Sequence, residues 1–196
     1  MNAGRPASRN RRRLVLLGLA CVFLVPLAGA FILYYGTGLR PATTAAHCEL
    51  LVPPVSLPRV ALVGQAGESL SPALLANRWS LVYLAWNECG AACGARLDEL
   101  RRVRLALAAD APRVQRVLLY ARSCCAAPTG VGTDLSTAYA GESGRPLLAS
   151  FGGENSEGSV YLVDPHGNLF MRYAPAVPAR GMLIDLQRLL RLSHIG

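Results

Sequence analysis

Cys89 and Cys93 stand four residues apart in the stretch AWNECGAACGARL. Two thiols at that spacing can close a disulfide, exchange electrons with another dithiol, or grip a soft ion such as Cu(I) as thiolates. On a helical turn, residues four apart share one face with Cα atoms about 6 Å apart, inside the range a disulfide accepts. The unpaired N–H groups and the dipole of a helix start lower a thiol pKa, whereas Glu88, directly before Cys89, opposes that by like-charge repulsion. A purely structural disulfide in an exported domain is the competing reading of the same spacing.

The other candidates are weaker. The chain has six cysteines. Cys21 lies within an apolar run, so Cys48, Cys89, Cys93, Cys124 and Cys125 remain outside it, an odd number that leaves one thiol without a partner in a monomer. Adjacent Cys124 and Cys125 can bond to each other, bind metal or pair elsewhere, Cys48 included. The three histidines are scattered: His47 in a flexible-looking linker, His166 in a turn, His194 near the end of the chain. Each reads as a solvated or capping side chain rather than a ligand.

The cysteine pair needs a strand before it and a helix after it. SLVYLAW, Ser80 to Trp86, is an apolar run of strand length. After the cysteines, Leu97, Leu100, Val103 and Leu107 recur at helical spacing, with Asp98, Arg101 and Arg102 turned outward. Arg113 to Ala121 gives a second strand, so the order reads as a βαβ unit. GSVYLVD and NLFMRY flank a Pro165-His166-Gly167 turn. The chain closes on an amphipathic helix with Met182, Leu183, Leu186, Leu189 and Leu190 on one face. Between Cys124 and Gly153 the pattern is poor, with one short helix around Pro146 to Phe151. Strand, cysteine helix, strand, hairpin, helix is the order of an α/β thioredoxin-like fold. Trp86, at a strand end, either shields the cysteines or is core.

The N-terminal region is of another kind. Five of the 20 basic residues, all Arg, lie at positions 5 to 13, and no acid precedes Glu49. The remainder therefore holds 15 basic against 12 acidic residues, which withdraws the main support for nucleic-acid binding. Leu14 to Tyr35 carries no charge and is long enough to span a bilayer, and the Arg cluster predicts a cytoplasmic N-terminus with everything after the span outside. A signal peptide cleaved after Ala28-Gly29-Ala30 is the alternative, although apolar sequence continues past that site. The expected organisation is a cytoplasmic tail over 1–13, a transmembrane helix over 14–35, a linker over 36–58 and a thioredoxin-like domain over 59–196. No hydrolase triad order, Walker loop, paired zinc motif or Rossmann glycine pattern is present.

The stretches HCELL, LVYLAWNECGAACGARL, RVQRVLL, YLVDPHGNLFMRY and GMLIDLQRLLRLSHIG resemble the Sco (SenC) family of thioredoxin-fold copper proteins. They are closest to a divergent group of bacterial, membrane-anchored Sco-like proteins associated with cytochrome c oxidase. The likeness runs from the anchor to the last residue, with Arg122 to Gly152 matching poorly. It implies an inner-membrane protein with its domain in the periplasm, copper as the cofactor, and oxidase subunits or assembly factors as partners. Such a protein binds copper through two Cys and a His, or reduces the disulfide of the oxidase's copper-binding subunit. By position the two cysteines are Cys89 and Cys93. The family His stands five residues before the Tyr of Y-L-x-x-P-x-G; here that Tyr is Tyr161 and the position holds Ser156. Two thiolates remain sufficient for Cu(I), not for a three-ligand Cu(II) centre. Thioredoxin-like reductases place a Pro before the strand that faces the cysteines, where this chain has Glu157-Gly158-Ser159. Three functions stay open: a copper or thiol factor for oxidase assembly, a thiol-disulfide oxidoreductase with another client, and a scaffold in which Cys89–Cys93 is a staple.

Overall fold

The computed structural model describes residues 7–36, 47–122, 125, 128, 130–193 and 195. Two compact units emerge, Met1–Thr44 and Ala45–Gly196. The first contains helix α1, Ala7–Gly36, whose segment Arg13–Ile32 is long and apolar enough to cross a membrane and is exposed along its length. Pro26 lies inside it.

The second unit is built on a mixed sheet. Its strands are β1 (Glu49–Ser56), β2 (Leu62–Gly64), β3 (Ser69–Leu70), β4 (Trp79–Ala85), β5 (Val114–Tyr120), β6 (Leu135–Tyr139), β7 (Val160–Val163) and β8 (Asn168–Tyr173). They lie in the order β1-β8-β7-β4-β5-β6-β2-β3. β4, β5 and β6 run parallel, while β7, β8 and β1 join on one side and β2 and β3 on the other, all antiparallel to their neighbours. Every residue of β4 is buried, which explains its unbroken apolar run: a central strand is covered on both faces. Trp79, Leu81, Tyr83 and Ala85 face one core, together with the buried face of α2 (Ala91–Ala106) and of α4 (Ala179–Leu192). Val82 and Leu84 face the other, with Leu147 and Leu148 of α3 (Arg145–Ser150) and Phe151 after it.

The expected helix face of α2 is the observed one: Leu97, Leu100 and Val103 are buried, as is Leu107 at its end. The Pro165 turn also forms as expected. Asp164 Oδ1 accepts from the backbone N–H groups of His166 and Asn168, and Gly167 takes φ of 88° to close the hairpin.

Two expectations need correction. The linker expected over 36–58 does not extend to Pro58, because Glu49–Ser56 is a strand paired with β8 and Leu57 is buried. Its Pro53-Pro54 pair belongs to an edge strand, where a missing N–H breaks no inner ladder, and the register shifts between Leu50 and Val55. The poorly patterned region after Cys124 contains β6, which extends the parallel set beside β5. Its sequence, LSTAY, does not alternate, since burial on both sides reaches only Ala138 and Tyr139.

Candidate functional site

β4 carries the chain to Ala85, and Trp86 to Gly90 turn it into α2. The N–H of Gly90 bonds the carbonyl of Glu88 at 3.0 Å, a tight turn centred on Cys89. Gly94 N–H then bonds Gly90 O and starts the helix, which has no side-chain cap. Cys89 therefore sits just before the helix and Cys93 in its first turn. The two are joined in a disulfide with Cα atoms 5.2 Å apart. Cys93 is buried and Cys89 half-buried, so Cys89 is the more exposed residue of the pair. The uncapped N–H groups of the first turn favour a thiolate here once the bond is reduced.

Two tyrosines that the sequence reading did not single out support this turn. Because β4, β5 and β6 are in parallel register, Ala85, Tyr120 and Tyr139 form one row at their carboxyl ends. Tyr120 and Tyr139 stack with ring centroids 5.2 Å apart. The backbone of Cys89 hydrogen-bonds the Tyr120 phenol, whose pKa is nevertheless raised, chiefly by burial and then by Tyr139. Tyr139 in turn donates its O–H to the carbonyl of Cys125 at 2.6 Å. Cys125 is itself disulfide-bonded. Cys124 lies outside the described residues, as does His194. The only sequence signal for the tyrosines was their place at the end of a strand parallel to the one that delivers the cysteines.

The remaining candidates are placed elsewhere. Ser156 is buried and its hydroxyl donates to Gly153 O within its own turn. His166 is in the β7–β8 turn, and the antiparallel pairing of β7 with β4 puts that turn beside the start of β4, at the end of the sheet away from Cys89. His47 is held against α4: its backbone N–H bonds Asp185 Oδ2 at 2.8 Å and its Nδ1 lies 3.5 Å from Oδ1. Cys48 is a free thiol whose pKa is pushed up to about 11, by burial first and then by Asp185. Trp86 packs against the core on the α3 side, and not over the cysteines, where it lines a cleft of about 610 Å³ with Arg122, Glu142 and Arg145. Arg104 is tied to Val114 O and Asp134, whereas Arg102 makes an exposed pair with Asp98. Among the described residues no group of three or more His, Cys, Asp or Glu side chains is arranged to hold a metal. Once reduced, the cysteine pair offers two soft thiolate donors, a set that suits Cu(I).

A protein-family model described as a transmembrane-like, thioredoxin-like C-terminal domain matches residues 79–193. Among solved structures, the chain is similar to the apo Sco1 protein of Thermus thermophilus, with 18% identity and a TM-score of 0.61 over 74% of this chain and 96% of that one. Yeast Sco1 with copper bound shares 14% identity and a TM-score of 0.59, over 72% and 95%. ScoI of Arabidopsis thaliana with copper bound shares 14% and 0.55, over 71% and 98%. At such identities the likeness is one of fold. No curated protein matches the chain by sequence.

Proposed function

Because the chain belongs to the family of transmembrane-like, thioredoxin-like C-terminal domains, we propose that it is a membrane-tethered copper or thiol-redox factor acting through Cys89 and Cys93. The observation that carries this reading is the disulfide at the junction of a central parallel strand and the helix after it, with Cys89 the more accessible partner. The fold likeness to copper-bound Sco proteins supports copper, and cytochrome c oxidase subunits or assembly factors are the proposed clients. Reduced, the pair offers two thiolates to Cu(I). In the thiol reading, Cys89 thiolate attacks a client disulfide and forms a mixed disulfide. Cys93 thiolate then displaces the client, so that two electrons pass to it and the chain ends oxidised. A dithiol reductant outside the membrane would restore it. Helix α1 would anchor the protein in the bacterial inner membrane with the domain in the periplasm.

The test is copper stoichiometry of the reduced full chain in detergent, with the other four cysteines replaced by Ser, beside the Cys89→Ser/Cys93→Ser variant. One Cu(I) per chain, lost in the variant, is expected. Failure to bind copper, with a dithiol that exchanges readily, would overturn copper and leave the thiol factor. A pair inert to both would overturn the proposal and leave a structural staple.

A further inference from the structure

A second site lies beside the cysteine helix. A cleft of about 330 Å³ is bounded by α2 at Ala92, Ala95 and Arg96, by Tyr83 and Gly158 from the sheet side, and by the segment Pro175 to Pro178. Ala92 is the residue before Cys93, so the cleft adjoins the disulfide along the chain. Its lining is mixed: Arg96 is the cation within it, and Glu99, which lines it as well, is the anion paired with Arg96 Nη1.

Arg96 is unusually held. Its side chain is 10% exposed. One end, Nη1, is pinned by Glu99 Oε2 at 2.7 Å and Val177 O at 2.8 Å. The other edge, formed by Nε and Nη2, is buried and has no hydrogen-bond partner among the described residues. On a guanidinium these two nitrogens present parallel N–H groups, spaced to meet both oxygens of one carboxylate. The same chain uses that edge elsewhere: Arg116 Nε and Nη2 bond the two oxygens of Asp134 at 3.0 and 2.5 Å, and Arg172 Nε and Nη2 bond Ser159 Oγ. A charged donor edge that is buried without an acceptor is costly, and Nη1 already fixes its orientation.

We propose that the Nε–Nη2 edge of Arg96 binds a carboxylate that enters this cleft, as a small organic acid or as the acidic side chain of a polypeptide docked next to Cys89–Cys93. Both nitrogens are covered in the structure, so entry requires the cleft to open around Nε and Nη2 while Val177 O stays on Nη1; Tyr83 also lines the cleft. The proposal is read without copper or thiol exchange, so it stands or falls separately from the function above.

The experiment is a titration of the full chain in detergent, followed by NMR at the Arg96 Nε–H and the Ala176 and Val177 amides. The probes are sodium acetate and a capped Ala-Asp-Ala peptide, with sodium chloride at equal ionic strength as control. Saturable shifts at all three positions with acetate and peptide, not with chloride, are expected. Arg96→Lys, which keeps the charge and loses the paired donors, should weaken binding by about tenfold or more. Tighter binding of the peptide than of acetate supports the proposal with a polypeptide as the source, and equal binding supports it with a small acid. No saturable shift in the unaltered chain, or the same shift with chloride, overturns it even if Arg96→Lys fails to fold.

Discussion

Arg116 is fully buried in β5, yet it is satisfied on every side, by Asp134, the Leu97 carbonyl of α2 and the Val131 carbonyl. It ties the cysteine helix to the segment entering β6. Its hydrogen bonds are the main reason the Asp134 carboxyl lies below the ordinary carboxylate range. A lowered folded pKa contributes stability that is present at neutral pH and lost as pH falls below about 4. Arg116→Met should cost about 3 kcal/mol, at the low end for breaking a buried pair because Asp134 is partly solvated. Thermal unfolding against pH checks both points: the variant should melt lower and lose that part of the acid dependence. An unchanged melting temperature at pH 7 would refute the role. Cys48 supports a second residue-scale prediction. With its pKa near 11 against an ordinary 9.0, about 100-fold less of it is thiolate at pH 8 than for an unperturbed thiol. Iodoacetamide should therefore label Cys48 correspondingly slowly in the native chain, and at ordinary speed in the unfolded one.

At the scale of elements, β1 and α4 are joined through one small residue. A Cβ at Gly181 would lie 2.6 Å from His47 Cγ and 2.9 Å from His47 Cβ. The glycine lets the chain entering β1 lie against α4, where Asp185 receives the His47 N–H. Ala is favoured over Gly within a helix by about 1 kcal/mol. Gly181→Ala should still lower the melting temperature, and His47→Ala combined with it should recover the loss, a non-additivity diagnostic of direct contact. A more stable Gly181→Ala chain would show that His47 is not packed there.

For the whole molecule, the proposed function gives α1 the role of confinement. A tether to the membrane that holds a client raises the effective concentration of the pair without any new contact. The Arg residues at positions 9, 11, 12 and 13 set the proposed orientation. A membrane-impermeant maleimide should label reduced Cys89 in intact spheroplasts, and replacing those four arginines by Asn should lower the labelled fraction. Labelling only after lysis would place the domain on the cytoplasmic side and contradict the proposal.

The residues alone determined the parts governed by local period. The apolar run of β4, the 3- and 4-residue spacing in α2 and α4, the turn at Pro165 and the uncharged stretch after Arg13 were all legible, and with them the thioredoxin-like order and the place of Cys89 and Cys93. Tertiary structure decided what depends on residues far apart in the chain. β1 exists through β8, and β6 through β5; neither has a pattern of its own strong enough to announce it. Asp185 sits buried on the otherwise apolar face of α4 because a backbone N–H 138 residues away bonds it. Tyr120 and Tyr139 come to the cysteine turn only because parallel strands end in one row. The open edge of Arg96 is likewise invisible in sequence, since an Arg on a helix reads as solvated until its neighbours close over it. Period is written locally, whereas partnership is written only in space.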